Sequence, residues 1–138
     1  MYTKILVGYD GSEAGKKAFE TALELAATDG AELYVLTVCR SPEIGDDVET
    51  EAVIENSRRY HRSLLAELKP AVSAKGVKAH FEVAVGHPAE QIIYEADRHG
   101  VDLIVVGDRG RSTFARLLLG SVSKQVVQYA DRPVMVVR

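Results

Sequence analysis

The chain has 138 residues, a net charge of −3, and apolar and charged fractions of 46% and 27%. That is enough chain for one domain with a real core, and the composition is that of a water-soluble globular protein. The charge gives no bulk attraction to nucleic acid or to an anionic membrane, no apolar run reaches membrane-spanning length, and a single cysteine, Cys39, excludes an internal disulfide.

In chain order, MYTKILVGYDGS enters a strand at once, Ile5–Tyr9, instead of a signal peptide, so a cytoplasmic protein is expected. Residues 13–29 set Ala18, Ala22, Leu25 and Ala26 on one helical stripe, with Phe19 and Leu23 beside it. Asp10 or Ser12 is placed to cap this helix, and Glu13 lies at capping-box distance from Asp10. Leu33–Cys39 is a second apolar strand. The segment RSPEIGDDVET, residues 40–50, is acidic and carries Pro and Gly, and it reads as a mobile surface loop with no chemical role. Residues 49–75 repeat Val53, Ser57, Tyr60, Leu64, Leu68 and Val72 at helical spacing, with Pro70 predicted to kink or break the helix and Gly76 to end it. Lys78–Val85 alternates, with Ala79, Phe81, Val83 and Val85 on one side, as a strand near a sheet edge does. Pro88 opens a helix over 88–99 with Ala89, Ile92, Ile93 and Ala96 in a stripe, His87 as its cap and Gly100 as its terminator. Leu103–Val106 is a fourth strand. A short helix over about 121–130 turns Val122, Val126, Tyr129 and Ala130 inward, and Val134–Val137 is the fifth strand.

Strand and helix therefore alternate throughout, and four of the five strands are apolar-rich runs of the kind covered on both faces. This predicts one domain over residues 1–138, with a parallel sheet and helices on both sides. Such sheets bind ligands beyond the C-terminal strand ends. Two loops there carry suitable chemistry: Asp10-Gly11-Ser12, and VVGDRGRSTFARLLLGSVS at 105–123, with glycine at 107, 110 and 120. Glycine permits positive φ and close backbone approach to a ligand. The free N–H groups of a helix opening at Gly120-Ser121 attract an anion, Ser121 and Ser123 add hydroxyls, and Arg109 and Arg111 add positive charge. The combination points to a polyphosphate.

Gly107-Asp108-Arg109-Gly110, nine residues, then Gly120-Ser121 resembles the G-x-x-G, nine residues, G-[S/T] motif of the universal stress protein family. The likeness runs the whole chain: ILVGYDGSEAGKKAFETALELA, LYVLTV, HPAEQII, DLIVVGDRG and GSVSKQVVQYADRPVMVV are similar to successive family segments. The resemblance implies a doubly wound, five-stranded parallel sheet, Rossmann-like, of the adenine nucleotide alpha hydrolase type. It implies ATP (or AMP or ADP) as ligand, with Mg²⁺ accompanying the nucleotide. Asp10 would meet the ribose or the phosphate-bound metal, the backbone of Val38 the adenine edge, and Gly107 the ribose. Gly110, Gly120, Ser121 and Val122 would hold phosphates through their N–H groups, with Arg109 beside them. The resemblance also implies a homodimer. Common members carry a small polar residue where this chain has Asp108, and a carboxylate there repels phosphate unless it points away or meets Mg²⁺.

Other chemistry is set aside. No Lys-[Ser/Thr] follows the last glycine, as a Walker loop requires, and no G-x-G-x-x-G follows the first strand. His61, His80, His87 and His99 are read as surface or capping residues, Cys39 as a small buried hydrophobe, and Tyr9 as core. Arg58, Arg59 and Arg62 with Glu51, Glu55 and Glu67 read as a solvated ion-pair face. No nucleophile, base and orienter occur together, so at most slow ATP hydrolysis is expected. A nucleotide-responsive regulator or stress-tolerance factor is the expected role, with a slow ATPase or an interaction protein with an unoccupied site as alternatives. The unbroken run Val134–Val137, blunted only at its ends by Arg132, Pro133 and Arg138, predicts that segment 133–138 pairs antiparallel with its copy in a two-fold dimer.

Overall fold

A computed structural model describes residues 1–40, 48–108 and 120–138, and the reading of 40–50 as a surface loop therefore falls mostly outside the described residues. The described elements are β1 (Lys4–Gly8), α1 (Glu13–Asp29), β2 (Glu32–Cys39), α2 (Val48–Ala66), α3 (Lys69–Lys75), β3 (Ala79–Val85), α4 (Pro88–His99), β4 (Leu103–Gly107), α5 (Ser121–Tyr129) and β5 (Val134–Val137). The strands form one sheet in the order β3-β2-β1-β4-β5, and every pair is parallel. The predicted doubly wound, Rossmann-like α/β fold is therefore present, and β3 is an edge strand as its alternation implied.

Alternation along the central strands divides the core. Ile5, Val7, Leu33, Val35, Leu103 and Val105 face α1, α2 and α3, where Ala18, Phe19, Ala22, Leu65 and Val72 cover them. Leu6, Leu36, Ile104 and Val106 face α4 and α5, under Ala89, Ile92, Ala96 and Val126. Small alanines on α1 and α4 let these helices sit close to the sheet.

The long helix predicted over 49–75 is two helices. Pro70 lies four residues beyond Ala66, where α2 ends, so its ring would meet the Ala66 carbonyl if the helix continued. The inward stripe is also narrower than expected. Val53 and Tyr60 on α2 and Tyr129 on α5 are exposed, while Leu65, Leu68 and Val126 carry the packing. His87 stands at the N-cap of α4 but makes no side-chain cap bond. His80 and His99 both stack on Tyr34; the surface reading fails for His99, whose side chain is 16% exposed, but not for His80, which is 40% exposed.

Candidate functional site

The chain leaves β1 in one direction to β2 and returns on the other side as β4, so the winding switches beside β1. Ligands of open parallel sheets lodge outside the strand ends at such a point. Here a cleft of about 410 Å³ opens there, lined among others by Gly8, Asp10, Val38, Val106, Gly107 and Val122. Ser12, Pro88 and Val122 bring the N-terminal ends of α1, α4 and α5 to its wall. Three helix starts around one cleft favour negative charge within it.

The turn after β1 is built on two carboxylate bonds. Asp10 Oδ1 accepts from the Ser12 amide at 2.9 Å and from the Ser12 hydroxyl. Ser12 then accepts from the Gly15 amide at 3.1 Å and is the N-cap of α1. Of the two candidate caps, Ser12 does the capping and Asp10 braces it. Gly11 between them has φ +82°, a conformation other residues adopt with strain.

Gly107 meets a different demand. A Cβ there would lie 2.4 Å from the Ala14 carbonyl oxygen, so the glycine lets the first turn of α1 cross the end of β4. Asp108 follows it into burial, 4% exposed. Its Oδ1 accepts from the Gly120 amide at 3.1 Å, and its Oδ2 lies 3.3 Å from Arg138 Nε. Gly120 is the N-cap of α5 with φ −61°, an ordinary extended geometry. Ser121 opens the helix and is exposed, whereas Ser123 is buried and donates its hydroxyl to the Gly120 carbonyl at 3.0 Å instead of offering it to a ligand. Arg109, Gly110 and Arg111 lie outside the described residues. Of the predicted site residues, Asp10, Val38, Gly107 and Val122 thus share the cleft wall, and Gly120 and Ser121 stand at the helix start beside it.

The other residues lining the cleft include Arg40, Ser57 and His61. The Ser57 carbonyl oxygen can only accept, so His61 donates from Nδ1 to it at 2.7 Å, and Cys39 Sγ stands 3.2 Å from the same nitrogen. The four-residue spacing of Ser57 and His61 was visible in the sequence; their facing the cleft was not. Tyr9 is core, packed edge-on to Phe19 with ring centroids 6.2 Å apart. Burial, with Glu67 and Asp10 near it, pushes its phenol above the ordinary value, so it remains neutral at physiological pH. Among the described residues, no helix is long and apolar enough to cross a membrane.

The family model for the universal stress protein family matches residues 1–138. Universal stress protein YxiE of Bacillus subtilis is 37% identical over an alignment covering all of both chains. Among solved structures, universal stress protein UspA from Lactobacillus plantarum superposes with a TM-score of 0.88 at 27% identity, covering 99% of this chain and 98% of its own. A universal stress protein in complex with cAMP gives 0.76 at 30% identity, covering 99% and 97%. An Arabidopsis thaliana family member with AMP bound gives 0.73 at 26% identity, covering 98% and 90%.

Proposed function

The chain belongs to the universal stress protein family, and from that premise we propose that it binds ATP, as a nucleotide-responsive regulator or stress-tolerance factor of the cytoplasm. The observation that carries the reading is the cleft at the switch point, ringed by three helix starts, in a fold whose relatives have been solved with cAMP and AMP. In this reading the backbone of Val38 meets the adenine edge and Gly107 lies against the ribose. Phosphates meet the N–H groups of Gly110, Ser121 and Val122, with Gly120 and Arg109 beside them.

Mg²⁺ would accompany the phosphates, because it prefers hard oxygen ligands and keeps several waters. The described residues lining the cleft fit that requirement sparingly: Asp10 is the one carboxylate among them. Asp10 would therefore hold the metal through water or directly, while the phosphates supply the remaining oxygens. The metal's contribution is charge neutralisation of the phosphates. The same residues include no nucleophile held by a base and an orienting group, which favours a binding protein over an efficient hydrolase.

Calorimetry of Mg–ATP against the protein and its Gly120→Val variant tests the reading. The φ of −61° at Gly120 accommodates valine, so the fold should persist while the branched side chain blocks phosphate approach. Loss of binding with an unchanged melting temperature is expected; unchanged affinity would sink the nucleotide assignment. Asp10→Asn keeps an acceptor for Ser12 and removes the charge. It should weaken Mg–ATP binding and leave adenosine binding unchanged, and equal losses would count against the metal role.

A further inference from the structure

On the opposite side of the sheet from α1, the alternation of β3 turns His80 and Glu82 toward α4. The last turn of α4 meets them. Two imidazoles stack on Tyr34, His80 at 4.7 Å and 20° and His99 at 4.2 Å and 22°. Beyond this stack, Glu82 of β3 faces Glu95 and His99, which are one helical turn apart on α4. His99 Nε2 lies 2.8 Å from Glu82 Oε1 and 3.2 Å from Glu95 Oε2. The nitrogen is wholly buried, yet neither oxygen is aligned with it well enough to make a hydrogen bond.

We propose that Glu82, Glu95 and His99 form a site for a divalent transition-metal cation of the zinc class. One ligand atom from each residue falls in a group whose members all lie within 4.8 Å of one another, the one such trio found among the described residues. Zinc bonds of about 2.0–2.2 Å to imidazole and carboxylate place neighbouring ligand atoms about 3.0–3.5 Å apart. The observed N···O separations therefore need only small adjustment. A buried nitrogen close to two carboxylates but hydrogen-bonded to neither is the arrangement a shared cation would complete. One imidazole and two carboxylates also select for zinc, cobalt or nickel over Mg²⁺ or Ca²⁺, which take oxygen ligands.

The charge balance favours the same occupant. Glu95 is only 8% exposed in its side chain and shares His99 Nε2 with the Glu82 carboxylate, so two carboxylates crowd one another there. His99 relieves this in part, and so does Arg98, which donates from Nη1 to both Glu95 oxygens at 3.2 and 3.1 Å. The Arg98 side chain is 57% exposed and free to swing outward as a dication enters. Tyr34 already fixes the plane of the His99 ring, and the helix fixes the spacing of two ligands, so little ordering is left to be done on binding. Three protein ligands leave a fourth position for water. Such a cation would tie edge strand β3 to the last turn of α4, whose first turn lines the cleft.

The test uses the full chain, stripped with EDTA. Titration with Co²⁺, read by its visible d–d absorption, should show one equivalent bound, displaced by Zn²⁺ and not by Mg²⁺. His99→Gln and Glu82→Gln should each weaken binding roughly tenfold or more, since removing even groups that only support metal ligands commonly costs that much. Circular dichroism of both variants confirms the fold, and Glu82 is the more exposed position should His99→Gln melt early. Asp10→Asn should leave the Co²⁺ isotherm unchanged. Absence of stoichiometric Co²⁺ binding, or the same isotherm in both ligand variants, overturns the site. Loss in Asp10→Asn with retention in His99→Gln would move the metal to the nucleotide cleft and overturn it equally.

Discussion

By the family resemblance the chain departs from common members at Asp108 and Arg109, and the position of Asp108 gives it two opposed effects. By accepting from the Gly120 amide and pairing with Arg138, it pins together the two described ends of the 109–119 connection and the end of β5. Its own amide donates to the Val137 carbonyl at 2.8 Å. The carboxylate points away from solvent, but it occupies one of the helix-start amides that a phosphate would use. It also leaves a negative charge within a few ångströms of the proposed anion site. At such separations a unit charge costs about 1 kcal/mol even in water-like surroundings and more where water is thinned. Asp108→Asn keeps the acceptor oxygen and removes the charge. Mg–ATP affinity should then rise by roughly three- to tenfold, with adenosine affinity unchanged. Calorimetry with both ligands checks it, and a parallel fall for the two would show that the carboxylate matters only as a brace. Gly107 gives a contrasting case, since steric exclusion and not charge fixes the residue. Gly107→Ala places a methyl group against the Ala14 carbonyl and should cost about 1–3 kcal/mol. Denaturant unfolding measures that cost, and a variant as stable as the parent would show that α1 yields freely.

At the scale of elements, the start of β1 depends on a carboxylate from across the sheet. Asp102 accepts from the Thr3 amide at 2.9 Å, the Thr3 hydroxyl at 3.1 Å and the Lys4 amide at 3.1 Å. Partial burial opposes ionisation, but these donors outweigh it and hold the Asp102 carboxyl below the ordinary aspartate range. The folded value therefore lies below the unfolded one. The stabilisation is complete above the unfolded value of about 3.9 and disappears as pH falls through the folded value. Asp102→Asn should lose about 1–2 kcal/mol at neutral pH and show a flatter decline below pH ~4. Urea unfolding across that range would contradict the assignment if the two acid limbs had the same slope. How far such features can be read in advance depends on whether local pattern or tertiary contact fixes them. The apolar runs of β1, β2 and β4 disclosed strands buried on both faces, and the alternation of β3 disclosed an edge. The helix break before Pro70 was open to either reading until the Ala66 carbonyl was placed beneath its ring. Asp10 and Gly107 were legible as site candidates because they lie at strand ends, whereas Val38 and Val122 entered only through the family resemblance. His61 looked like part of a solvated helix face and Ser57 like part of the helical stripe, since only the docking of α2 against β2 turns them to the cleft. Glu95 and His99 already showed the four-residue spacing of a shared helix face. Glu82 joins them only through the packing of α4 on β3, which no local pattern encodes.

For the whole molecule, sheet order determines where another copy can add. β3 and β5 are the two edges, and β5 is short, apolar and half-exposed at every position. Its side chains are committed within the chain: Met135 and Val137 pack on the α1 side, and Val134 and Val136 on the α4–α5 side. Pairing through this edge must therefore be carried by backbone. The Pro133 carbonyl accepts from the Ile104 amide and the Val137 carbonyl from the Asp108 amide, so these residues turn toward β4. By alternation, Val134 and Val136 turn their backbone amides and carbonyls outward. α5, which leads into β5, leaves Val127 and Tyr129 exposed, adding apolar surface close to this edge. We propose the two-fold dimer in which β5 meets its copy antiparallel, so that both edges are satisfied by one closed contact. Met135→Lys is a poor probe of this arrangement, because it would damage the chain's own core. Val136→Pro removes an outward amide while leaving the β4 ladder its donors, and proline is tolerated in a strand at such an edge position. The variant should keep its fold and its nucleotide affinity while dimerisation weakens roughly tenfold or more. Sedimentation velocity at micromolar concentration reads the outcome. A monomer in the unaltered protein, or an undiminished dimer in Val136→Pro, would rule this interface out.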